Sequence, residues 1–148
     1  MHILFVTGEY PPQQGGVGAY TAELGRALVE QGVQVSVVTS RGSDVPLADE
    51  SIPGESDGIA VHDIIDRWGP SIWSDISTLA AEHRANWIHV QYQTAAFNMN
   101  PAINLAPERW RKPMGCPHIA WTYHDLLVPY LLPKIGDRVR RWVTLRPG

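Results

Sequence analysis

The fold is decided by the opening of the chain, which reads His-Ile-Leu-Phe-Val-Thr over residues 2–7 and Val-Gln-Val-Ser-Val-Val-Thr over residues 33–39. Both runs have the near-continuous apolar character of parallel strands that are covered on both faces. Apolar residues between them recur at helical spacing, at Val17, Tyr20, Leu24, Ala27 and Leu28. Gly32 then ends the helix. This strand, helix and strand predict a right-handed βαβ unit and an α/β fold.

The rest of the chain continues the alternation of strands and helices. An amphipathic helix is predicted at residues 72–83 and a basic amphipathic segment at 126–143, with further strands at residues 59–64, 87–92 and 117–123. Residues 40–58 predict an exposed loop. Three prolines limit any helix within residues 93–116 to short pieces. Residues 1–148 are therefore expected to form a single domain, a Rossmann-like parallel sheet flanked by helices.

Composition excludes several classes of protein. Twelve basic against fifteen acidic residues give a net charge of −3, which argues against a nucleic-acid binder. Cys116 is the one cysteine, so an intramolecular disulfide and a cysteine metal cluster are excluded and a cytoplasmic location is expected. No apolar run approaches the roughly 20 residues that cross a bilayer. Basic residues within 134–146 permit a peripheral contact with the inner face of a membrane, although a solvated helical face explains them as well.

Gly15 and Gly16 directly precede the first predicted helix and are the best candidates for phosphate contacts. Glycines let the backbone approach a ligand closely, and the amides and dipole at a helix start favour an anion. A plain turn is the structural alternative. The loop is not a dinucleotide fingerprint, because Thr21 stands where the third glycine would be, and no P-loop lysine is present. Ser40 and Arg41, at the end of the second predicted strand, could still hold a 2′-phosphate, which leaves an NADP-dependent reductase as an alternative.

Polar side chains follow the later strands, at the edge where an open parallel sheet binds ligands. His124 and Asp125 come directly after the fifth predicted strand, and Gln91 and Gln93 lie at the end of the fourth. A histidine there can exchange hydrogen bonds with a ligand, and a capping or core role is the alternative. No histidine pair has metal-ligand spacing, and neither Asp-x-Asp nor Gly-x-Ser-x-Gly occurs.

These residues together resemble a known family. The first strand, Tyr10-Pro11-Pro12, the segment Gly15-Gly16-Val17-Gly18, the helix that ends at Gly32 and the second strand look like the opening of glycosyltransferase family 4. Residues 88–91 and the turn at residues 122–125 fall where that family has similar elements. The resemblance implies a GT-B fold and a retaining transfer of sugar from a nucleotide-sugar donor to an acceptor, with this chain as the N-terminal, acceptor-side domain.

The resemblance also assigns roles to residues. It implies that Gly15 and Gly16 reach the donor phosphates and that His124 contacts the transferred sugar. Tyr10, Gln91, Gln93 and Asp125 are expected to line the acceptor pocket. Neither a metal nor another cofactor is expected, in keeping with the absence of Asp-x-Asp.

One departure from the family is large. The C-terminal nucleotide-binding domain of the family, with its Arg/Lys pair and acidic motif, would follow residue 148, so we expect this chain to be truncated and inactive alone. Cations beside the leaving diphosphate would be a major catalytic contribution from that domain. A stand-alone sugar- or phosphate-binding module is the alternative that is not an enzyme.

Overall fold

The computed structural model describes residues 1–42, 55–110 and 117–125. The predicted basic segment at 126–143, the residue Cys116 and most of the loop predicted at 40–58 lie outside the described residues. The elements, in chain order, are β1 (His2–Thr7), α1 (Gly16–Glu30), β2 (Gln34–Ser40), β3 (Glu55–Ser56), β4 (Ile59–Ile65), α2 (Ile72–Glu82), β5 (Trp87–Tyr92), α3 (Ala102–Trp110) and β6 (His118–Tyr123).

The strands form one sheet in the order β3-β4-β2-β1-β5-β6. Five of them, β1, β2, β4, β5 and β6, run parallel, and the two-residue β3 pairs antiparallel with β4. The α/β, Rossmann-like fold predicted from the sequence is therefore confirmed. β1 is buried along its whole length, as its continuous apolar run predicts.

Two elements go beyond the sequence prediction. β3 is too short to show a hydrophobic period, and it turns into β4 through Asp57 and Gly58, which both have positive φ (58° and 76°). α3 is a nine-residue helix that contains Pro107, in keeping with the expectation of short helical pieces in this proline-rich region. Proline cannot donate the backbone hydrogen bond of a helix interior, which helps to keep α3 short.

Separate apolar layers cover the two faces of the sheet. α1 packs on one face, where a Cβ added to Gly25 would lie 2.8 Å from Cδ1 of Ile59, so that glycine lets helix and sheet approach closely. α2 and α3 lie over the buried residues of the other face. Indole groups join these two helices, because Nε1 of Trp73 donates to the carbonyl of Ala102 (2.9 Å) and Nε1 of Trp110 donates to the carbonyl of Trp73 (3.2 Å).

Three histidines meet on the side of the sheet where β1 begins. Nδ1 of His2 lies 2.7 Å from the carbonyl oxygen of His83, and Nε2 of His2 lies 2.9 Å from Oγ of Ser36. The rings of His62 and His83 are 4.7 Å apart, and Nε2 of His62 is buried without a partner among the described residues. Burial, followed by the positive charge of His83 when protonated, lowers the pKa of His62, and burial likewise lowers the pKa of His2.

These pKa shifts predict that the fold loses stability in mild acid. The unfolded chain binds protons at His2 and His62 more readily than the folded protein does, so the stability that these residues contribute is complete above about pH 6.5 and declines as the pH falls below it. His62→Phe removes one of the two groups and should flatten the decline of Tm between about pH 6.5 and 5. His118→Phe, on the exposed side chain at the start of β6, is the matched control. An equal slope in the His62→Phe variant and the unmodified protein would contradict the prediction.

Candidate functional site

The carboxyl ends of β1, β5 and β6 meet at one edge of the sheet, because the strands are parallel and adjacent. Thr7, Gln91 and Thr122 are register partners at the ends of these three strands. The loop after β1 and the turn after β6 therefore emerge side by side. The start of α1 follows the first of these segments, which brings the double-glycine loop to the same edge.

Hydrogen bonds to neighbouring strands hold the beginning of the loop after β1. Oγ1 of Thr7 donates to the carbonyl of Glu9 (2.9 Å), and Oγ of Ser40 donates to the carbonyl of Gly8 (2.7 Å). Nε1 of Trp68 in turn donates to Oγ of Ser40 (2.7 Å). A Cβ on Gly8 would lie 2.0 Å from the carbonyl oxygen of Ala96, so only glycine fits there. The loop is thus fixed against β2 and the segment after β5.

The first turn of α1 is capped by a residue from the loop, not by its own N-cap residue. Gly15 occupies the N-cap position and has no side chain to offer. Oε1 of Glu9 instead accepts hydrogen bonds from the amides of Val17 (3.1 Å) and Gly18 (3.3 Å). A carboxylate at a helix N-terminus is favoured by the helix dipole and satisfies amides that lack partners within the helix. Two amides of the helix start that follows the nominated Gly15 and Gly16 are therefore occupied by the protein itself.

The two glycines of the loop have different surroundings. A Cβ on Gly15 would lie 2.0 Å from Oε1 of Glu9, whereas a Cβ on Gly16 would meet nothing within 4 Å. No described residue accepts a hydrogen bond from the amide of Gly16. Gly15 thus provides room for the carboxylate, and Gly16 is the glycine that faces open space.

His124 lies opposite this loop, and the buried side-chain amide of Gln91 holds its imidazole. Its backbone amide donates to the carbonyl of Tyr92 (2.9 Å), and its Nε2 lies 2.8 Å from Oε1 of Gln91. A carbonyl oxygen only accepts, so the imidazole donates from Nε2 and Nδ1 keeps its lone pair. Burial lowers the pKa of His124, and the negative charge of Glu9 opposes that shift. The ring of Tyr20, from α1, lies 4.9 Å from the imidazole, so α1 and β6 meet at this residue.

A second polar pair lies beside the first on the same two strands. Nε2 of His89 is 2.9 Å from Oγ1 of Thr122, and the His89 ring packs 5.2 Å from the ring of Phe5. Burial lowers the pKa of His89, and the charge of His124 acts in the same direction. His89 is thus a half-buried residue held between strands, which agrees with the structural role that its early position in the strand suggested.

The structure brings together some of the residues that the sequence nominated and separates others. Gly16, Gln91 and His124 lie around one edge, with Gln91 fully buried beneath His124. Gln93 and Asp125 are half-buried at the same end of the sheet. Tyr10 is only 5% exposed and packs in the apolar layer under α1, where burial raises the pKa of its hydroxyl. Its placement is that of a core residue, and the ligand roles of the whole set stay predictions.

Glu9 is the residue at this edge that the sequence analysis did not nominate. One signal was available, since an acidic residue a few positions before a helix start can cap its amides. The preceding residues, however, show no helical period that would link Glu9 to α1. The link forms only because the loop folds back on the helix.

The groups suggested for a 2′-phosphate already have partners. A guanidinium nitrogen of Arg41 pairs with Oδ1 of Asp66 at 2.7 Å on the protein surface. Ser40 donates its hydroxyl to Gly8 and accepts a hydrogen bond from Trp68. Among the described residues, a 2′-phosphate at this turn would therefore have to compete with the surface ion pair of Arg41 and the two hydrogen bonds of Ser40.

Comparison with known families agrees with the architecture. The sequence profile of Glycosyltransferase Family 4 matches residues 14–146, which is most of the chain. The chain belongs to glycosyltransferase family 4. A comparison with curated proteins gave no match. The matched segment includes Gly15, Gly16, Gln91 and His124, whereas Glu9 lies before it.

Within residues 1–42, 55–110 and 117–125, no three or more histidine, cysteine, aspartate or glutamate residues are grouped so that they could hold a metal ion. No helix in the same ranges has both the length and the apolar character to pass through a bilayer.

Replacing the buried amide tests how His124 is held. In Gln91→Met the apolar side chain removes the acceptor for Nε2 of His124, so we expect a mixture of imidazole tautomers in nitrogen-15 NMR spectra. Stability should change by less than about 1.5 kcal/mol, because the substitution conserves volume and also removes the Gln91 Nε2 group, which is buried without a partner in the described part of the chain. Gln93→Met, at a half-buried position, is the control. A single unchanged Nε2–H tautomer in Gln91→Met would show that Gln91 does not orient the ring.

Proposed function

We propose that this chain is the acceptor-side domain of a retaining glycosyltransferase that transfers a sugar from a nucleotide-sugar donor to an acceptor. Family membership supports transfer of a sugar. The observation that carries the finer proposal is that Gly16, Gln91 and His124 lie around the carboxyl edge of the sheet, where open α/β sheets bind ligands. The proposal includes a cytoplasmic location and chemistry without a metal or other cofactor.

The open side of the loop is the proposed contact for the donor phosphates. A Cβ added to Gly16 would meet no atom within 4 Å, so this residue faces open space. Its amide has no acceptor among the described residues. The remaining dipole of α1 favours negative charge there. Because Glu9 holds the amides of Val17 and Gly18, the phosphate contact falls to Gly16 and the adjacent peptide of Gly15.

His124 is the proposed contact for the sugar. Its lowered pKa keeps the imidazole neutral near pH 7, and its Nε2–H is committed to Gln91. Nδ1 therefore offers a hydrogen-bond acceptor to a sugar hydroxyl. Such a contact orients the sugar, and it accelerates transfer to the extent that it strengthens as the bond to the diphosphate breaks.

The leaving diphosphate gains negative charge during transfer and needs positive charge nearby. In the proposed GT-B arrangement that charge comes from the nucleotide-binding domain across the cleft. The role of this chain is then to place the acceptor and to hold the sugar and the phosphates in line for reaction. Gln93 and Asp125, half-buried at the same end of the sheet, are the proposed acceptor contacts, whereas Tyr10 would act by supporting the loop from the core.

An assay of the intact protein with a panel of nucleotide sugars and acceptors tests the proposal. Release of nucleoside diphosphate reports transfer, and NMR of the product reports the configuration at the anomeric carbon, which should match that of the donor. Binding of a nucleotide sugar with no transfer to any acceptor would favour the binding-module alternative. Quenching of NADPH fluorescence on titration, together with no nucleotide-sugar binding, would favour the reductase.

His124→Ala should lower kcat roughly tenfold or more, because it removes a hydrogen bond to the reacting sugar. The side chain is only half-buried, so Tm should change by no more than a few degrees. His118→Ala, at an exposed histidine that begins the strand before His124, is the matched control and should leave both quantities near their original values. A large fall in Tm with normal turnover would assign His124 a structural role instead.

Gly16→Val tests the loop. A branched side chain would fill the space proposed for the phosphate oxygens and should raise the KM for the donor about tenfold or more, with Tm largely unchanged because nothing lies within 4 Å of that position. Thermal denaturation and initial-rate kinetics measure the two effects. An unchanged KM would remove Gly16 from the donor site.

A further inference from the structure

Glu9 joins three parts of the site. Its backbone carbonyl accepts a hydrogen bond from the hydroxyl of Thr7 at the end of β1. One oxygen of its carboxylate accepts hydrogen bonds from the amides of Val17 and Gly18 in α1. Its charge also acts on His124 at the end of β6. Glu9 thus connects β1 through its backbone and α1 through its side chain, and its charge acts on His124 after β6, at the edge where the substrates are proposed to bind.

The neighbouring glycines are shaped around this residue. A Cβ on Gly15 would lie 2.0 Å from Oε1 of Glu9, and a Cβ on Gly18 would lie 3.0 Å from its carbonyl oxygen. The φ angle of Gly15 is 177°, an extended conformation that any residue adopts. Glycine is therefore required at position 15 for space and not for its backbone angle, and the space is filled by the Glu9 carboxylate.

The carboxylate stands where an unoccupied helix start would bind an anion. The carboxylate accepts hydrogen bonds from the amides of Val17 and Gly18, and a phosphate at the first turn of a helix would use the same amides. A phosphate placed there would have to displace Glu9 and would meet its negative charge. The amide of Gly16, one residue earlier, is left available beside open space.

We propose that Glu9 is a positioning residue that fills the anion-binding start of α1 and thereby directs the donor phosphates to Gly16, in line with His124. The proposal rests on the proposed sugar transfer. It adds a specific task for a residue outside the segment that matches the family. Without Glu9, the freed amides of Val17 and Gly18 would bind phosphate in a different register, which displaces the sugar from His124.

A thermal double-mutant cycle tests the contact without any substrate. Gly15→Ala should lower Tm by several degrees in the unmodified protein, because its methyl group collides with the carboxylate, and should have almost no effect in a Glu9→Ala background. Gly16→Ala is the matched control, since its methyl group meets nothing. An equal cost of Gly15→Ala in both backgrounds would overturn the proposal.

A titration with inorganic phosphate tests whether Glu9 fills the anion site. In Glu9→Ala, the NMR signals of the Val17 and Gly18 amides should show the largest shifts on adding phosphate, whereas in the unmodified protein the largest shift should fall on the Gly16 amide. Glu9→Gln keeps an oxygen that can accept hydrogen bonds from the Val17 and Gly18 amides and should restore the pattern of the unmodified protein. Glu30→Ala, at the far end of α1, controls for the loss of one negative charge. Equal phosphate shifts in the unmodified protein and Glu9→Ala would overturn the proposal.

Kinetics separate a positioning role from a merely structural one. With the donor misplaced, kcat of Glu9→Ala should fall about tenfold while its KM for the donor does not rise, and Glu9→Gln should recover most of the rate. The pKa of His124 should also fall in both variants, with Tyr20, His89 and Asp125 as the other titratable groups around it. A normal kcat in Glu9→Ala would overturn the positioning role. No transfer by the full-length protein, with its nucleotide-binding domain, would refute the proposed function and leave the thermal cycle as evidence on the contact alone.

Discussion

The contact between the carboxylate of Glu9 and the first turn of α1 organises the sheet edge that carries the candidate site. A helix that starts at the carboxyl edge of a parallel sheet exposes amides with no partner in the helix, and something negative must satisfy them. Here the chain supplies that group from the loop after β1. This capping interaction accounts for the glycine at position 15, whose missing side chain makes room for the carboxylate, and it leaves the amide of Gly16 beside open space.

The Glu9 loop forms one wall of this edge and His124 the other, and the position of His124 depends on a second polar contact, which is made by the buried side chain of Gln91. Gln91 is fully buried between its neighbours in the sheet, yet its amide oxygen reaches the imidazole of His124. Burial favours the neutral form of His124, and the nearby charge of Glu9 limits that effect. The two walls are therefore coupled by electrostatics as well as by the contact between Tyr20 and His124. In the proposed function, these two walls hold a neutral sugar and a charged phosphate side by side.

Much of this architecture could be predicted from sequence patterns. The apolar runs of β1 and β2, separated by a helical period, specify the βαβ unit because each strand is covered on both faces. The position of His124 after an apolar strand, and of the glycines before a helix, follows from the rule that ligand loops lie at the carboxyl edge. β3 could not be predicted, because a strand of two residues is too short to show an alternation of apolar and polar residues. Tyr10 was expected to line a pocket, and the structure buries it in the apolar layer under α1. Its burial could not be predicted, because a place in a loop says nothing about the direction of the ring.

The sequence by itself determined the parallel α/β sheet, the single sheet edge that carries the candidate residues and the family to which the chain belongs, because these depend on the order and period of residues along the chain. Only the tertiary structure decided which groups meet there. Glu9 is eight and nine residues from the amides that it binds, and Gln91 is 33 residues from His124. Those contacts arise from how a loop folds over a helix and how strands align in register, and neither leaves a local pattern in the sequence.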